Sequence, residues 1–331
     1  MSNIFLSLLS YNFKNIRRFL MRIYVTGGTG FIGSYVVKQL SNEGHEVVVL
    51  ARKPEKVPAL SMLPGVKIVC APMEDLKAVE KAIVKPDAVV HIALCWGDTG
   101  PEMIKNETLS SVSLIEIAVK KGAKKFIFTS STAAQGSLPR TIDETEKPKP
   151  NDFYGATKGS VELFISAYSN YFKKIKFNTI RPGYTFGDPV VHGGSMENDK
   201  RFFNICANAR AGSQIDLVKN DGTQFIWAGD LAKVYSALLK SSVTNNVYYG
   251  LAKNFTTWEQ AAIWAVEYAG KNGISPKSSK IRLKNLGWSD SPFMFNVNRI
   301  KKDFGHSFDS TRQIRAHVHF LMEHPELYAD K

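Results

Sequence analysis

Tyr154 and Lys158 stand four residues apart at the head of a run, Tyr154 to about Tyr171, that reads as a helix. On a helix that spacing puts both side chains on one face. An ammonium beside a phenol favours the phenolate, lowering a pKa that is ordinarily about 10. Such a tyrosine passes a proton to or from a substrate oxygen near neutral pH. Upstream, the run Lys125-Phe126-Ile127-Phe128-Thr129 ends in Ser130-Ser131-Thr132. The Ser131 hydroxyl is placed to hydrogen-bond the same oxygen. Tyr-x-x-x-Lys alone occurs on many surface helices, so its meaning depends on the elements that position it.

The first of those elements lies near the start. Arg22-Ile23-Tyr24-Val25 reads as a strand, Thr26-Gly27-Gly28-Thr29-Gly30-Phe31-Ile32-Gly33 as a glycine turn, and Ser34 to Asn42 as an amphipathic helix. Gly27, Gly30 and Gly33 have the spacing of a dinucleotide cradle. The first takes a backbone angle other residues resist, the second lets a diphosphate approach the main chain, and the third lets helix and strand pack closely. The helix N-terminus offers unpaired N–H groups to the phosphates. Gly27, Thr29, Gly30, Phe31 and Ile32 are therefore expected to hold a dinucleotide.

Further strands follow at Glu46 to Leu50, Val66 to Cys70 and Asp87 to Ile92, separated by helical runs. That alternation predicts an α/β fold with a doubly wound parallel sheet. After the second strand, Ala51-Arg52-Lys53 carries two cations and no acid. Arg52 and Lys53 therefore favour a 2′-phosphate, and so NADP over NAD. Asp75 reads equally well as a helix N-cap and as a cofactor contact. His91 reads as a packed strand histidine. Ala93 is small enough for a cofactor to lie across the strand end. A helix from about Pro101 to Lys121 is closed by Gly122.

Taken together, Thr26 to Gly33, His91-Ile92-Ala93, Asn106, Phe126 to Ser131, Tyr154 to Lys158 and Arg181-Pro182-Gly183-Tyr184-Thr185-Phe186-Gly187 resemble the extended short-chain dehydrogenase/reductases, also called NAD-dependent epimerases/dehydratases. The likeness spans about residues 22–190. It continues more loosely through Asp221 to Gln224 and Ala228 to Ala232. The resemblance implies that Tyr154 is the general acid/base. Lys158 would lower its pKa and bind the nicotinamide ribose, and Ser131 would polarise the reacting oxygen. Asn106 would brace the active-site helix, and the segment from Pro182 would lie beside the nicotinamide. The expected reaction is hydride transfer to a carbonyl or from a secondary alcohol, with NADP or NAD as cofactor. A nucleotide-sugar 4-epimerase with tightly held NAD is the alternative, and a non-catalytic dinucleotide-binding regulator a more distant one.

Three departures from the family pattern matter. Pro72 stands where an acid often meets the adenine, so Met73 or Asp75 would substitute. Thr132-Ala133 stands where sugar 4,6-dehydratases carry an Asp-Glu pair, which argues against water elimination. Thr223-Gln224-Phe225-Ile226-Trp227 lacks the arginine that sugar-nucleotide enzymes place on the substrate diphosphate, leaving Lys219 or Arg201 as substitutes.

The chain of 331 residues carries a net charge of +13 with 44% hydrophobic residues. The surplus reads as a lysine-rich solvated surface or as a face for an acidic partner; no nucleic-acid-binding motif accompanies it. Cys70, Cys95 and Cys206 are widely spaced and odd in number, which fits a reducing cytoplasm. Residues 1–20 read as an extension upstream of Met21 or as a basic amphipathic helix on a membrane surface; their apolar stretch is too short for a membrane span. Residues 21–182 read as the NAD(P)-binding domain and 183–331 as mainly the substrate-binding region. There, Thr257 to Ala269 carries an aromatic stripe expected to be core. The resemblance implies a homodimer through the helices at about Pro101 to Lys121 and Tyr154 to Tyr171, whose apolar faces Ile104, Leu114, Ile115, Val161, Phe164 and Ile165 would supply to a second subunit or only to the sheet. His317 and His319 are two apart, not on one helical face, so no metal ligands are assigned.

Overall fold

A computed structural model describes residues 21–136, 141–196, 199–287, 290 and 292–328. The expectation for residues 1–20 lies outside the described residues.

Seven parallel strands form the main sheet: β1 (Arg22–Thr26), β2 (Glu46–Ala51), β3 (Val66–Cys70), β4 (Ala88–His91), β5 (Lys125–Thr129), β6 (Lys176–Pro182) and β7 (Asn246–Gly250). Their order is 3-2-1-4-5-6-7, with β1 hydrogen-bonded to both β2 and β4. The direction of winding reverses between β1 and β4, and a crevice opens beyond their carboxyl ends. β1, β2, β4 and β5 are short, apolar and buried on both faces, as a helix-covered parallel sheet requires. The sheet takes β7 from the second half of the chain, in register against β6 from Asn246–Asn178 to Gly250–Pro182.

Helices α1 (Phe31–Asn42), α2 (Leu76–Ala82), α3 (residues 100–120), α4 (Phe153–Tyr171), α5 (Lys200–Ala211), α6 (Ala228–Lys240), α7 (Trp258–Lys271), α8 (Asn298–Phe304) and α9 (Thr311–Glu323) complete the frame. Val36, Val37 and Leu40 of α1 pack with Leu231, Val234 and Leu238 of α6 against Ile23 and Val25. On the opposite face, Leu114 and Ile115 of α3 meet Val161 and Ile165 of α4 over Phe126, Phe128 and Phe177. Four of the six residues anticipated for a dimer face are thus spent on the sheet. Ile104 and Phe164 remain exposed, joined by Leu109 and Leu163.

α3 is not the uniform helix expected. An α-helical turn, Gly100–Met103, leads into a π-helical stretch, Ile104–Leu109, and then an α-helix, Ser110–Lys120. A π turn inserts an extra residue and changes which side chain faces inward. A 3.6-residue periodicity cannot show that.

The remaining core is aromatic. Phe202, Phe225 and Trp258 are buried with ring centroids 4.9–5.9 Å apart, and Ile314, Val318 and Leu321 of α9 close over the cluster. The stripe on α7 is core, as expected: Trp258 and Trp264 are both buried. His317 joins this cluster through Phe202 and hydrogen-bonds Asp188 at 2.6 Å, tying α9 to the segment after Phe186. His319 packs against the Tyr268 ring instead, tilted by 38°.

Candidate active site

Gly27 has φ +69°, and a Cβ there would sit 2.5 Å from the Ala93 nitrogen. A Cβ on Gly33 would sit 2.0 Å from the Gly27 carbonyl oxygen. Only glycine satisfies both positions, the first for its turn and the second for helix–strand packing. Gly30 caps α1 without a side-chain hydrogen bond. The first N–H groups of α1 lack intrahelical partners, and Gly30 to Gly33 line the crevice mouth. These features fit a dinucleotide diphosphate.

Around this turn lies a cleft of about 360 Å³. Gly27, Thr29, Gly30, Phe31, Ile32, Arg52 and Ala93 line it, joined by Met73, Glu74 and Cys95. Lys53 is not among its lining residues. Neither is Asp75, which is a correction to one expectation for it. Its carboxylate accepts the N–H groups of Lys77 and Ala78 at 3.1 and 3.0 Å, so it is the N-cap of α2. The carboxylate that does reach the cleft is Glu74, 3.5 Å from the Arg52 guanidinium with both side chains mostly exposed.

A second cleft of about 310 Å³ continues from the first, sharing Ile32, Ile92 and Leu94. Ser131, Tyr154, Lys158, Pro182, Gly183 and Tyr184 line it. The fold therefore brings Ser131, Tyr154 and Lys158 together beside the glycine turn. Each is fixed by its own element. Ser131 follows β5, and its hydroxyl oxygen accepts the Ala133 N–H at 3.1 Å. Tyr154 sits in the first turn of α4, whose N-cap Asp152 accepts the Gly155 N–H at 2.6 Å. The Trp96 ring lies 6.2 Å from the Tyr154 ring, with the indole largely exposed.

A buried charge network holds α4 against the sheet. Arg181 of β6 donates two hydrogen bonds to Glu162, at 2.9 and 2.6 Å, and Ser130 donates a third at 2.5 Å. Bidentate, charge-assisted geometry of this kind fixes orientation as well as energy.

His91 is the packed histidine expected. The Ile92 and Ala93 N–H groups both donate to the Thr26 hydroxyl oxygen at 3.2 Å, filling its lone pairs. The Thr26 hydrogen is then left for His91 Nδ1, 2.6 Å away. Nε2 must carry the ring proton, donated to Ser111 at 2.8 Å. Burial, and secondarily the Lys158 ammonium, push the His91 pKa down to about 3. The imidazole is a neutral strut between β1, β4 and α3.

Asn106 does not take the bracing role that the resemblance assigns to it. Its amide donates to the Trp96 carbonyl oxygen at 2.9 Å near the surface. The buried residue of this stretch is its neighbour, Glu107. Glu107 Oε1 lies 2.6 Å from Lys158 Nζ, and Oε2 accepts the Cys95 N–H at 2.8 Å. Sequence inspection missed Glu107, Glu74 and Trp96. No sequence signal singles out Glu107, which stands among the polar Lys105, Asn106 and Thr108.

The proposed substitutes for a diphosphate-binding arginine lie elsewhere. Arg201 hydrogen-bonds Asp199 and stacks on Trp258 at 4.4 Å. Lys219 lies 3.7 Å from Asp290. Neither lines the two clefts. Among the described residues, no cluster suited to a metal ion is present and no helix is long and apolar enough to cross a membrane.

Comparison with known proteins agrees with this geometry. A probable UDP-glucuronate 4-epimerase of Rhizobium meliloti is 26% identical over 215 residues, covering 60% of this chain and 61% of that relative. The solved UDP-Glc/GlcNAc 4-epimerase from Campylobacter jejuni superposes with a TM-score of 0.74 at 19% identity, covering 93% of this chain and 99% of that one. A dTDP-glucose 4,6-dehydratase from Bacillus anthracis, solved in complex with NAD, gives 0.75 at 19% identity, covering 93% and 99%. At such identities the structural matches show the fold. The profile of one family spans residues 23–250, from β1 through the crevice to β7. By that match, and by the glycine turn and sheet order it covers, the chain belongs to the NAD dependent epimerase/dehydratase family.

Proposed function

We propose that the protein is an NAD(P)-dependent oxidoreductase acting at a carbonyl or secondary alcohol, with Ser131, Tyr154 and Lys158 as its reacting group. One observation carries this: all three line a cleft continuous with the glycine turn at Gly27–Gly33. When bound, the nicotinamide supplies the hydride donor or acceptor. The chain supplies the rest. Gly27, Gly30 and the α1 N-terminus hold the diphosphate, and Ala93 leaves room at the strand end. Ser131 donates a hydrogen bond to the reacting oxygen. Tyr154 gives that oxygen a proton in reduction and takes one in oxidation. Lys158 sets the charge beside the phenol.

Thr132 and Ala133 carry no acid or base for water elimination, which disfavours a 4,6-dehydratase. Arg52 supports NADP, and its pairing with Glu74 opposes it, because a 2′-phosphate must displace that carboxylate. NAD-bound neighbours support NAD. A second reading, nucleotide-sugar 4-epimerase, is supported by what the relatives are called. It needs no residue beyond the same three. The distance of Arg201 and Lys219 from the clefts weighs against it. The exposed Ile104, Leu109, Leu163 and Phe164 further suggest a homodimer through α3 and α4.

The test is the nucleotide content of the freshly purified protein, released by denaturation and identified by mass spectrometry. Protein that comes empty and then binds NADPH or NADH reversibly supports the dissociable-cofactor oxidoreductase. Retained NAD(H) accompanied by a UDP- or GDP-sugar replaces it with the epimerase.

A further inference from the structure

The Lys158 ammonium does not face the crevice alone. Its side chain and that of Glu107 are 3% and 1% exposed, and their charged atoms are 2.6 Å apart. Satisfying the Cys95 N–H needs only an amide oxygen. Burying a carboxylate for that purpose carries a desolvation cost that its attraction to an opposite charge must offset. The partner is therefore the reason for the acid. That ammonium lies 5.8 Å from the centroid of the Tyr154 ring and 5.2 Å from that of Phe128. A charge at this range from a phenol shifts its ionisation, and a second charge of opposite sign beside the first undoes part of the shift.

The groups facing the pair from the surrounding elements leave its balance to Glu107 itself. From β4 comes His91, neutral by its hydrogen bonds. From the segment after β4 comes the Cys95 thiol, which burial and then Glu107 push up to about 11. From α6 comes Tyr235, whose hydroxyl is bonded to Thr129 and whose pKa burial raises. Arg52 and Glu74 are farther out at the cleft mouth, paired with one another.

We propose that Glu107 is a positioning residue for the chemistry at Tyr154: it pins the Lys158 ammonium through the π turn of α3 and cancels much of its field at the phenol. In its catalytic meaning this rests on the function proposed above. In an isolated Tyr-x-x-x-Lys pair the ammonium acts unopposed.

The test reads Tyr154 without needing a substrate. Tyrosinate absorbance is titrated in the full-length protein and in Glu107→Gln, each corrected with its matching Tyr154→Phe variant. Glu107→Gln is expected to move the Tyr154 midpoint down by about one pH unit, and Glu107→Asp to leave it close to the parent. An unchanged or raised midpoint in Glu107→Gln overturns the proposal. Should Glu107→Gln fail to fold, Lys158→Met is compared with Lys158→Met/Glu107→Gln, in which both charges are gone. The double variant is expected to titrate lower than the single by a similar amount; equal midpoints overturn the proposal. Where turnover is measurable, the alkaline limb of kcat in Glu107→Gln should shift down by the same amount with KM unchanged. Full turnover in Tyr154→Phe would sink the catalytic role of Tyr154 while leaving the titration result standing.

Discussion

Two cation–carboxylate pairs mark the two ends of the crevice, and they differ in nearly every physical respect. At the nucleotide end Arg52 and Glu74 stand 3.5 Å apart with side chains 73% and 55% exposed. At the reaction end Lys158 and Glu107 stand 2.6 Å apart and are buried. Water and salt screen the first pair, and its members can separate to admit a ligand. The second has no solvent to retreat to, so losing one member leaves a bare charge in the core. The outer pair is suited to choosing a ligand, the inner one to holding a fixed geometry and a fixed charge.

The largest effect expected is chemical. Tyr154→Phe should lower turnover by about a hundredfold to ten-thousandfold while leaving cofactor affinity, measured by calorimetry, within a few fold. Undiminished turnover would remove Tyr154 from the acid/base role. Next comes stability. Glu107→Ala should cost about 3–5 kcal/mol in chemical denaturation, whereas Arg52→Ala should leave the unfolding midpoint essentially where it was. Similar losses in the two variants would show that burial does not separate the pairs.

The burial of the reaction end should also show as pH dependence. His91 has its folded pKa pushed down to about 3 from an ordinary 6.5. The unfolded chain therefore binds a proton that the folded chain refuses between those values. Stability from this group is fully present above about pH 6.5 and is lost as pH falls towards about 3, by about 1 kcal/mol per pH unit. His91→Gln should flatten that slope in denaturation curves taken across the window, and an unaltered slope would assign it to other groups. The smallest effect belongs to the outer pair. Arg52→Ala should weaken NADP(H) by about tenfold and NAD(H) much less. Equal weakening of both cofactors would show that Arg52 does not read the 2′-phosphate.

The parts of the molecule legible in the sequence are those set by local rules. The strand–glycine–helix unit at Arg22–Asn42 is legible because its three glycines meet steric demands that lie within the unit or at the adjacent strand end. The close of α3 is legible because Gly122, at φ +78°, takes the left-handed conformation that ends a helix. Asp75 was ambiguous for a related reason: the same carboxylate that caps a helix also suits a ligand, and only its two N–H partners decide.

What lay beyond the sequence is what depends on direction and burial. Asn106 and Glu107 are adjacent, and nothing in their neighbours says which one turns inward; the π turn of α3 decides it. Likewise, Arg201 and Lys219 are equally plausible cations on paper, and packing on Trp258 or pairing with Asp290 keeps both from lining the crevice. By itself, then, the sequence determined the first five strands of the sheet, the glycine turn and the presence of Ser131, Tyr154 and Lys158, because backbone sterics and apolar periodicity act over a few residues. Only the tertiary structure decided that Lys158 has a buried counter-charge, because that contact joins residues 51 positions apart.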